Sequence, residues 1–136
     1  MWTLLLVGWM LLPGCWALTG PEEIRGYVGG SLSVRCDYGK SYTDYTKFWC
    51  KKRYFVGLCS DYLYIEIPSS RLMKTKGRVS IADDRRQLFF TASIVNLTEE
   101  DSGPYQCGLR VTGWSGWHEV KVTVFPGEFL ICFLAP

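Results

Sequence analysis

The sequence predicts an all-β fold, an antiparallel sandwich or barrel, on two observations. Between Pro21 and Val124 apolar and polar residues alternate in short runs, with no helical period of useful length. Turn-forming residues separate those runs at the close spacing of strands joined one to the next, which argues against a parallel sheet with crossover helices.

Each strand is justified by its own alternation. Gly29-Gly30 turns the chain into Ser-Leu-Ser-Val-Arg-Cys, where Leu32, Val34 and Cys36 share a face because successive strand side chains point to opposite sides. After turns at Tyr38-Gly39-Lys40-Ser41 and Pro68-Ser69-Ser70, Val79 and Ile81 repeat the pattern. A turn expected at Asp83-Asp84 leads to Phe90, Ala92 and Ile94. Thr112-Gly113 then introduces Val120, Val122 and Val124, set opposite Glu119, Lys121 and Thr123. These read as half-buried strands, with neither an internal repeat nor a low-complexity stretch among them.

With 136 residues, 48% hydrophobic and 21% charged, the chain holds one domain of ordinary composition. Residues 1–17, MWTLLLVGWMLLPGCWA, read as a secretory signal peptide cut after Ala17 or shortly beyond, with Cys15 and Ala17 as the small residues before the cut. The run lacks Lys or Arg near its start; an N-terminal membrane anchor is the alternative, opposed by Pro13 and Gly14. The domain is expected over residues 21–126. Residues 127–136, GEFLICFLAP, supply about half the length of a helical membrane span and lack the spacer of a lipid-anchor signal. The expectation is a secreted, soluble chain whose tail reads as a replaced or truncated ending.

Export places the six cysteines where disulfides persist, so a bridge framework is favoured over a zinc site. Cys15 leaves with the leader. Of Cys36, Cys50, Cys59, Cys107 and Cys132, four can pair, and Cys132 in the tail is the one left over. Cys36 and Cys107 stand 71 positions apart with Trp49 between them, the Cys, Trp, Cys order of an immunoglobulin-type sandwich. Tyr105 sits two residues before the second cysteine, where the tyrosine corner of that fold belongs. The pair is therefore read as a staple between sheets, not a redox or metal pair, and closing so long a loop removes about 4 kcal/mol of denatured-state entropy. Trp49 is expected to pack against it.

The segments GGSLSVRC, TKFWCKK, GRVSIADD, LTEEDSGPYQCG and VKVTVFP together resemble a V-type immunoglobulin domain of the leukocyte mono-immunoglobulin receptors, the CMRF-like or CD-three-hundred family. These are relatives of the myeloid triggering receptors and the polymeric immunoglobulin receptor. The resemblance covers Pro21 to Pro126. DSGPYQC alone marks only the superfamily; the extra cysteine in FWC, with a partner a few residues on, narrows it. Cys50 follows Trp49 directly, so in a strand it points to the opposite face and is excluded from the first bridge. Pairing with Cys59 would tie strand C to C′ on the outer face.

The resemblance also implies roles for particular residues. Arg78 and Asp101 match the positions that close the bottom of such domains as a partly buried ion pair. Asn96-Leu97-Thr98 is an N-glycosylation sequon, with Leu97 expected inward and Asn96 exposed. Tyr42 and Tyr45 lie between strands B and C, and Thr112 to Gly116 between F and G, loops that gather at one end of a V-type sandwich. Trp114, flanked by small residues, is read as an exposed aromatic anchor for a ligand, with folding back beside Trp117 as the alternative.

Other chemistry finds little support. The single histidine, His118, is read as a solvated strand residue, and no catalytic constellation, zinc set or cofactor motif is present. From Lys47 to Arg78 eight basic residues face Asp61 and Glu66, a local net of +6 that leaves −4 elsewhere and would favour anionic partners if it forms one surface. Nucleic acid is a poor partner for an exported chain of this balance.

The function so implied is ligand binding in innate immunity by myeloid cells, with a cell-surface protein or polar lipid as ligand and a monomer as the expected state. Membrane-bound relatives of this kind signal through an adaptor or through tyrosine motifs; this chain carries neither and reads as a soluble form, a decoy or modulator of a membrane-bound counterpart. The alternative is an adhesion or carrier module associating through the GFCC′ face, where Phe48, Gln106 and Arg110 would point outward.

Overall fold

The computed structural model describes residues 18–53, 58–59 and 63–126. Residues 1–17, read as a leader, and residues 127–136 with Cys132 lie outside the described residues. Among the described residues eleven strands follow in order: β1 (Leu18–Thr19), β2 (Glu23–Tyr27), β3 (Leu32–Tyr38), β4 (Thr46–Arg53), β5 (Leu58–Cys59), β6 (Ile65–Ile67), β7 (Met73–Lys76), β8 (Val79–Asp84), β9 (Phe89–Ile94), β10 (Gly103–Val111) and β11 (Trp114–Phe125).

They form two sheets, which makes the fold a sandwich. One runs β1-β3-β9-β8-β7, the other β2-β11-β10-β4-β5, with β6 also paired to β4. All these pairs are antiparallel except β2 with β11. The core lies between the sheets and is built by the alternation the sequence carries: Leu32, Val34 and Cys36 from β3, Val79 and Ile81 from β8, Phe90, Ala92 and Ile94 from β9, and Val120, Val122 and Val124 from β11.

The Cys36–Cys107 disulfide crosses this core from β3 to β10. Trp49 on β4 stands opposite Cys107 in register, is fully buried, and stacks on Tyr105 with ring centroids 5.0 Å apart. The Tyr105 hydroxyl donates to the Asp101 carbonyl at 2.6 Å, closing the tyrosine corner. At the same end the Arg78 guanidinium meets the Asp101 carboxylate in two bonds of 2.9 Å, and the Thr98 N–H donates to it at 2.8 Å. Burial pushes the Asp101 pKa up, but these bonds and the Arg78 charge outweigh it and hold the carboxyl below its ordinary value.

The structure corrects several expectations. Asp83 and Asp84 end β8 and do not form the turn; Asp84 Oδ1 accepts from the Arg86 and Gln87 N–H groups, so the turn follows it, with Leu88 at φ 63°. Trp114 to Gly116 belong to β11, because the hairpin pairs without a break up to Val111 opposite Trp114 across a turn in which Gly113 takes φ 80°. His118 is part-buried, and its Nε2 lies 2.9 Å from the Pro21 carbonyl oxygen, where the chain passes from β1 in one sheet to β2 in the other.

Candidate functional site

At the end of the sandwich opposite the Arg78–Asp101 pair, local backbone bonds shape the segment between β3 and β4. A 3-10 turn at Lys40–Tyr42 is closed by Tyr42 N–H to Gly39 O at 3.0 Å, and Tyr45 N–H returns to Tyr42 O at 3.1 Å. These bonds set the Tyr42 and Tyr45 rings edge to face, 5.0 Å apart. Both rings are partly buried against the core.

Trp114 completes a three-ring cluster. Its ring stacks on Tyr42 at 5.9 Å and meets Tyr45 edge-on at 5.7 Å. Along β11, Trp114 shares the parity of Val120 and Val122, so it turns to the inner side where the sandwich opens, whereas Trp117 faces the outer side. Trp114 therefore neither stands free nor folds beside Trp117: it leans over the two tyrosines and remains 43% exposed. Gly116 makes room for this, since a Cβ there would stand 2.8 Å from the Trp114 ring. The Trp-Ser-Gly spacing was a visible signal for that contact, although its direction required the hairpin register.

Beneath the rings lies a buried polar set that the sequence reading did not identify. Lys47 Nζ pairs with Asp83 Oδ2 at 2.9 Å, with side chains 0% and 1% exposed. The ammonium also donates to the Thr43 carbonyl and sits 4.6 Å over the Tyr38 ring. The Tyr38 hydroxyl donates to Asp83 Oδ1 at 2.6 Å. Burial pushes the Lys47 pKa down against the pull of Asp83, and burial first, then the bond to Asp83, pushes the Tyr38 hydroxyl up. Arg85 Nε stands 3.6 Å from Asp83 Oδ2.

The same set corrects the charge reading. Lys47 is inside the protein, Arg78 is committed to Asp101, and Lys52 is paired with Glu119. Lys51 donates to the Glu100 carbonyl at 2.6 Å. Among the described residues the run is not one cationic surface, because Lys47 and Lys52 fall on opposite faces of β4 while Lys74 and Lys76 lie on β7 of the other sheet.

The outer face of the second sheet is also corrected. Phe48 and Gln106 do lie on it, but at 5% and 3% exposure they are covered. Phe48 packs beside Tyr64 at 6.3 Å, with the Arg110 guanidinium 5.7 Å above it. Its ring also crosses Gly108, where a Cβ would meet it at 2.1 Å. Arg110 is ion-paired with Glu66, to which Tyr64 donates at 3.0 Å. Alternation gives the face a residue takes; the cover over Phe48 depends on Gly108 having no side chain.

Cys50 and Cys59 form the second disulfide, with Cα atoms 5.5 Å apart. Cys50 lies outside the inter-sheet core, yet is itself buried. Asn96 is exposed at φ 53° while Leu97 is buried beside it. Among the described residues no group of His, Cys, Asp and Glu is arranged to hold a metal. A groove of about 650 Å³ is lined in part by Glu22, Pro104, His118 and Lys121. In it the His118 Nε2 is directed at the Pro21 carbonyl oxygen.

The sequence model of the immunoglobulin V-set domain matches residues 19–125. The chain is 41% identical over 124 residues to CMRF35-like molecule 9 of Homo sapiens, covering 90% of this chain and 37% of that one. It is 37% identical over 130 residues to CMRF35-like molecule 2 of Mus musculus, covering 90% of this chain and 65% of the relative. To CMRF35-like molecule 3 of Mus musculus it is 34% identical over 130 residues, covering 93% and 52%. The chain thus spans only part of the length of these relatives.

Proposed function

We propose that this chain, which belongs to the immunoglobulin V-set family, works by binding and not by catalysis, as the ligand-recognition domain of an innate immune receptor. The Tyr42–Tyr45–Trp114 cluster is its contact surface. One observation carries this reading: at one end of the sandwich three aromatic rings pack together, two of them against the core, and leave Trp114 43% exposed. Rigid, half-exposed aromatic side chains dominate the energetics of many interfaces, because they bury large area at small conformational cost. The ligand is a cell-surface protein or a polar lipid, and an N-linked glycan on Asn96 stands at the opposite end, clear of the site.

The test is Trp114→Ala in the otherwise intact domain. Binding to vesicles of phosphatidylserine and phosphatidylcholine, and to leukocyte surfaces, should fall about tenfold or more, as for a central aromatic anchor. Unchanged binding in a folded variant removes the cluster from the site.

The proposal extends to the form of the chain. Among the described residues no helix is long and apolar enough to cross a membrane. The leader-like run at residues 1–17 supports a secreted form, which would act as modulator or decoy for a membrane-bound counterpart, to which adaptor-dependent signalling would belong. Expression in mammalian cells should place the chain in the medium, and Cys132→Ser should raise the yield if the Cys132 thiol forms mixed disulfides. Retention of both chains inside the cell would refute the secreted reading.

The adhesion alternative through the outer face of the second sheet is less well supported. Two of its three expected contacts, Phe48 and Gln106, are covered, and the third, Arg110, is paired with Glu66.

A further inference from the structure

Lys47 and Asp83 take no part in the apolar core and none in the aromatic contact itself, yet both side chains are buried. Taking an ammonium and a carboxylate out of water is costly, and an apolar pair of similar volume would fill the space as well or better. What the polar pair supplies must therefore be sought in its remaining bonds.

Those bonds converge on the loop that carries the tyrosines. Lys47 Nζ donates to the carbonyl of Thr43, which lies between Tyr42 and Tyr45. Asp83 holds Lys47 from β8 and also receives the Tyr38 hydroxyl at the end of β3. Thr43 is fixed in turn, its hydroxyl donating to the Lys40 carbonyl at 2.6 Å. The Thr43 carbonyl, between the two tyrosines, is thus tied from below through Lys47 and Asp83 to three strands, β3, β4 and β8, in addition to the loop's own backbone bonds.

We infer that the Lys47–Asp83 pair positions the Tyr42–Tyr45–Trp114 cluster, through the Thr43 carbonyl, in the geometry a ligand meets; this rests on the reading of that cluster as the contact surface. Lys47 is a positioning residue. It has no exposed surface to offer a ligand and acts through the loop it holds.

Arg85 makes the inference testable. Its Nε stands 3.6 Å from Asp83 Oδ2, and Nε and Nη2 are buried without a hydrogen bond. When Lys47 is replaced, a second cation is already beside the carboxylate and can compensate it. Nothing replaces the bond to Thr43. Lys47→Met should therefore keep the fold and release the loop.

The experiment follows the side-chain indole N–H of Trp114 by nitrogen-15 NMR, identified by its loss in Trp114→Phe, with the Trp49 and Trp117 indoles as references. Tyr42 and Tyr45, at 5.9 and 5.7 Å, act on the Trp114 resonance through their ring currents. In Lys47→Met the Trp114 signal should shift or broaden while that of Trp49 stays. Affinity for phosphatidylserine–phosphatidylcholine vesicles should fall roughly tenfold, the effect of one lost charge-assisted hydrogen bond.

An unmoved Trp114 signal in the folded variant overturns the positioning role, whatever the vesicles do. A moved signal, with vesicle and leukocyte binding that ignores both Lys47→Met and Trp114→Ala, upholds the positioning and overturns the contact surface instead. Should Lys47→Met fail to fold, Lys47→Met/Asp83→Asn leaves no carboxylate charge at this site and is measured in the same way.

Discussion

Replacing Asp101 by Ala should cost more stability than a surface ion pair ever does. Its side chain is 0% exposed, and it accepts two bonds from Arg78 and one from the Thr98 N–H, so its removal takes the counter-charge from a guanidinium that is only 27% exposed and keeps its bonds to the Val95 and Asn96 carbonyls. Breaking a buried pair from one side costs about 3 to 5 kcal/mol, and because Arg78 is able to turn partly to water the lower figure applies, about 3 kcal/mol. At about 4 to 8 °C per kcal/mol for a domain near 100 residues, the melting temperature should fall by roughly 12 to 24 °C. Circular dichroism melts at neutral pH measure this directly. The dependence on pH carries a second check. The folded pKa is depressed, since the bonds from Arg78 and Thr98 outweigh burial. The stabilisation is therefore complete above the unfolded value of about 4 and is lost as pH falls through the lower folded value. The gap in melting temperature between the parent and Asp101→Ala should hold from pH 7 to about 5 and narrow only below about 4. A gap under about 4 °C at neutral pH would mean that the pair behaves as solvated surface charges, and the reasoning from burial would be wrong.

Two further substitutions probe the outer face and the surface. Gly108→Ala would put a Cβ 2.1 Å from the Phe48 ring, itself packed beside Tyr64 and under Arg110, so urea melts should show a loss of about 1 to 3 kcal/mol that Phe48→Leu in the same chain partly restores. Asn96→Gln should abolish the mobility shift that peptide-N-glycosidase produces in the mammalian-cell product; an unglycosylated parent chain would show the sequon to be unused.

The parts legible in the sequence are those set by local periodicity or by paired landmarks. Alternation gave Leu32, Val34 and Cys36 their common face, and the spacing of Cys36, Trp49 and Cys107 gave the staple its place. What was not legible depends on register between distant strands. Asp83-Asp84 carries the composition of a turn, and only the pairing of β8 with β7 and β9 shows Asp83 facing the core edge, where Lys47 and Tyr38 meet it. Trp114 reads as a loop residue until the unbroken β10–β11 register draws it into the strand. Phe48 and Gln106 point outward as alternation predicts, yet are covered; over Phe48 the cover comes from Tyr64 and Arg110, which no local pattern in the sequence places there.

Lys47 shows most clearly why a charge count and a surface are different quantities. In the sequence it stands first in a run of cations and suggests attraction to anions; in the fold its charge is spent on Asp83 and on the Thr43 carbonyl. With Lys47, Arg78 and Lys52 so committed, and with Lys40 and Asp44 exposed with opposite signs on the loop of the tyrosines, the shape and polarisability of the three rings are what this end offers a ligand. Those rings are themselves held by the Lys47 charge. A ligand that prefers this end should therefore be sensitive to Trp114 and only weakly sensitive to salt, since screening acts on exposed charges and hardly on a pair with no exposure. Binding that collapsed at moderate ionic strength would point instead to the scattered surface cations.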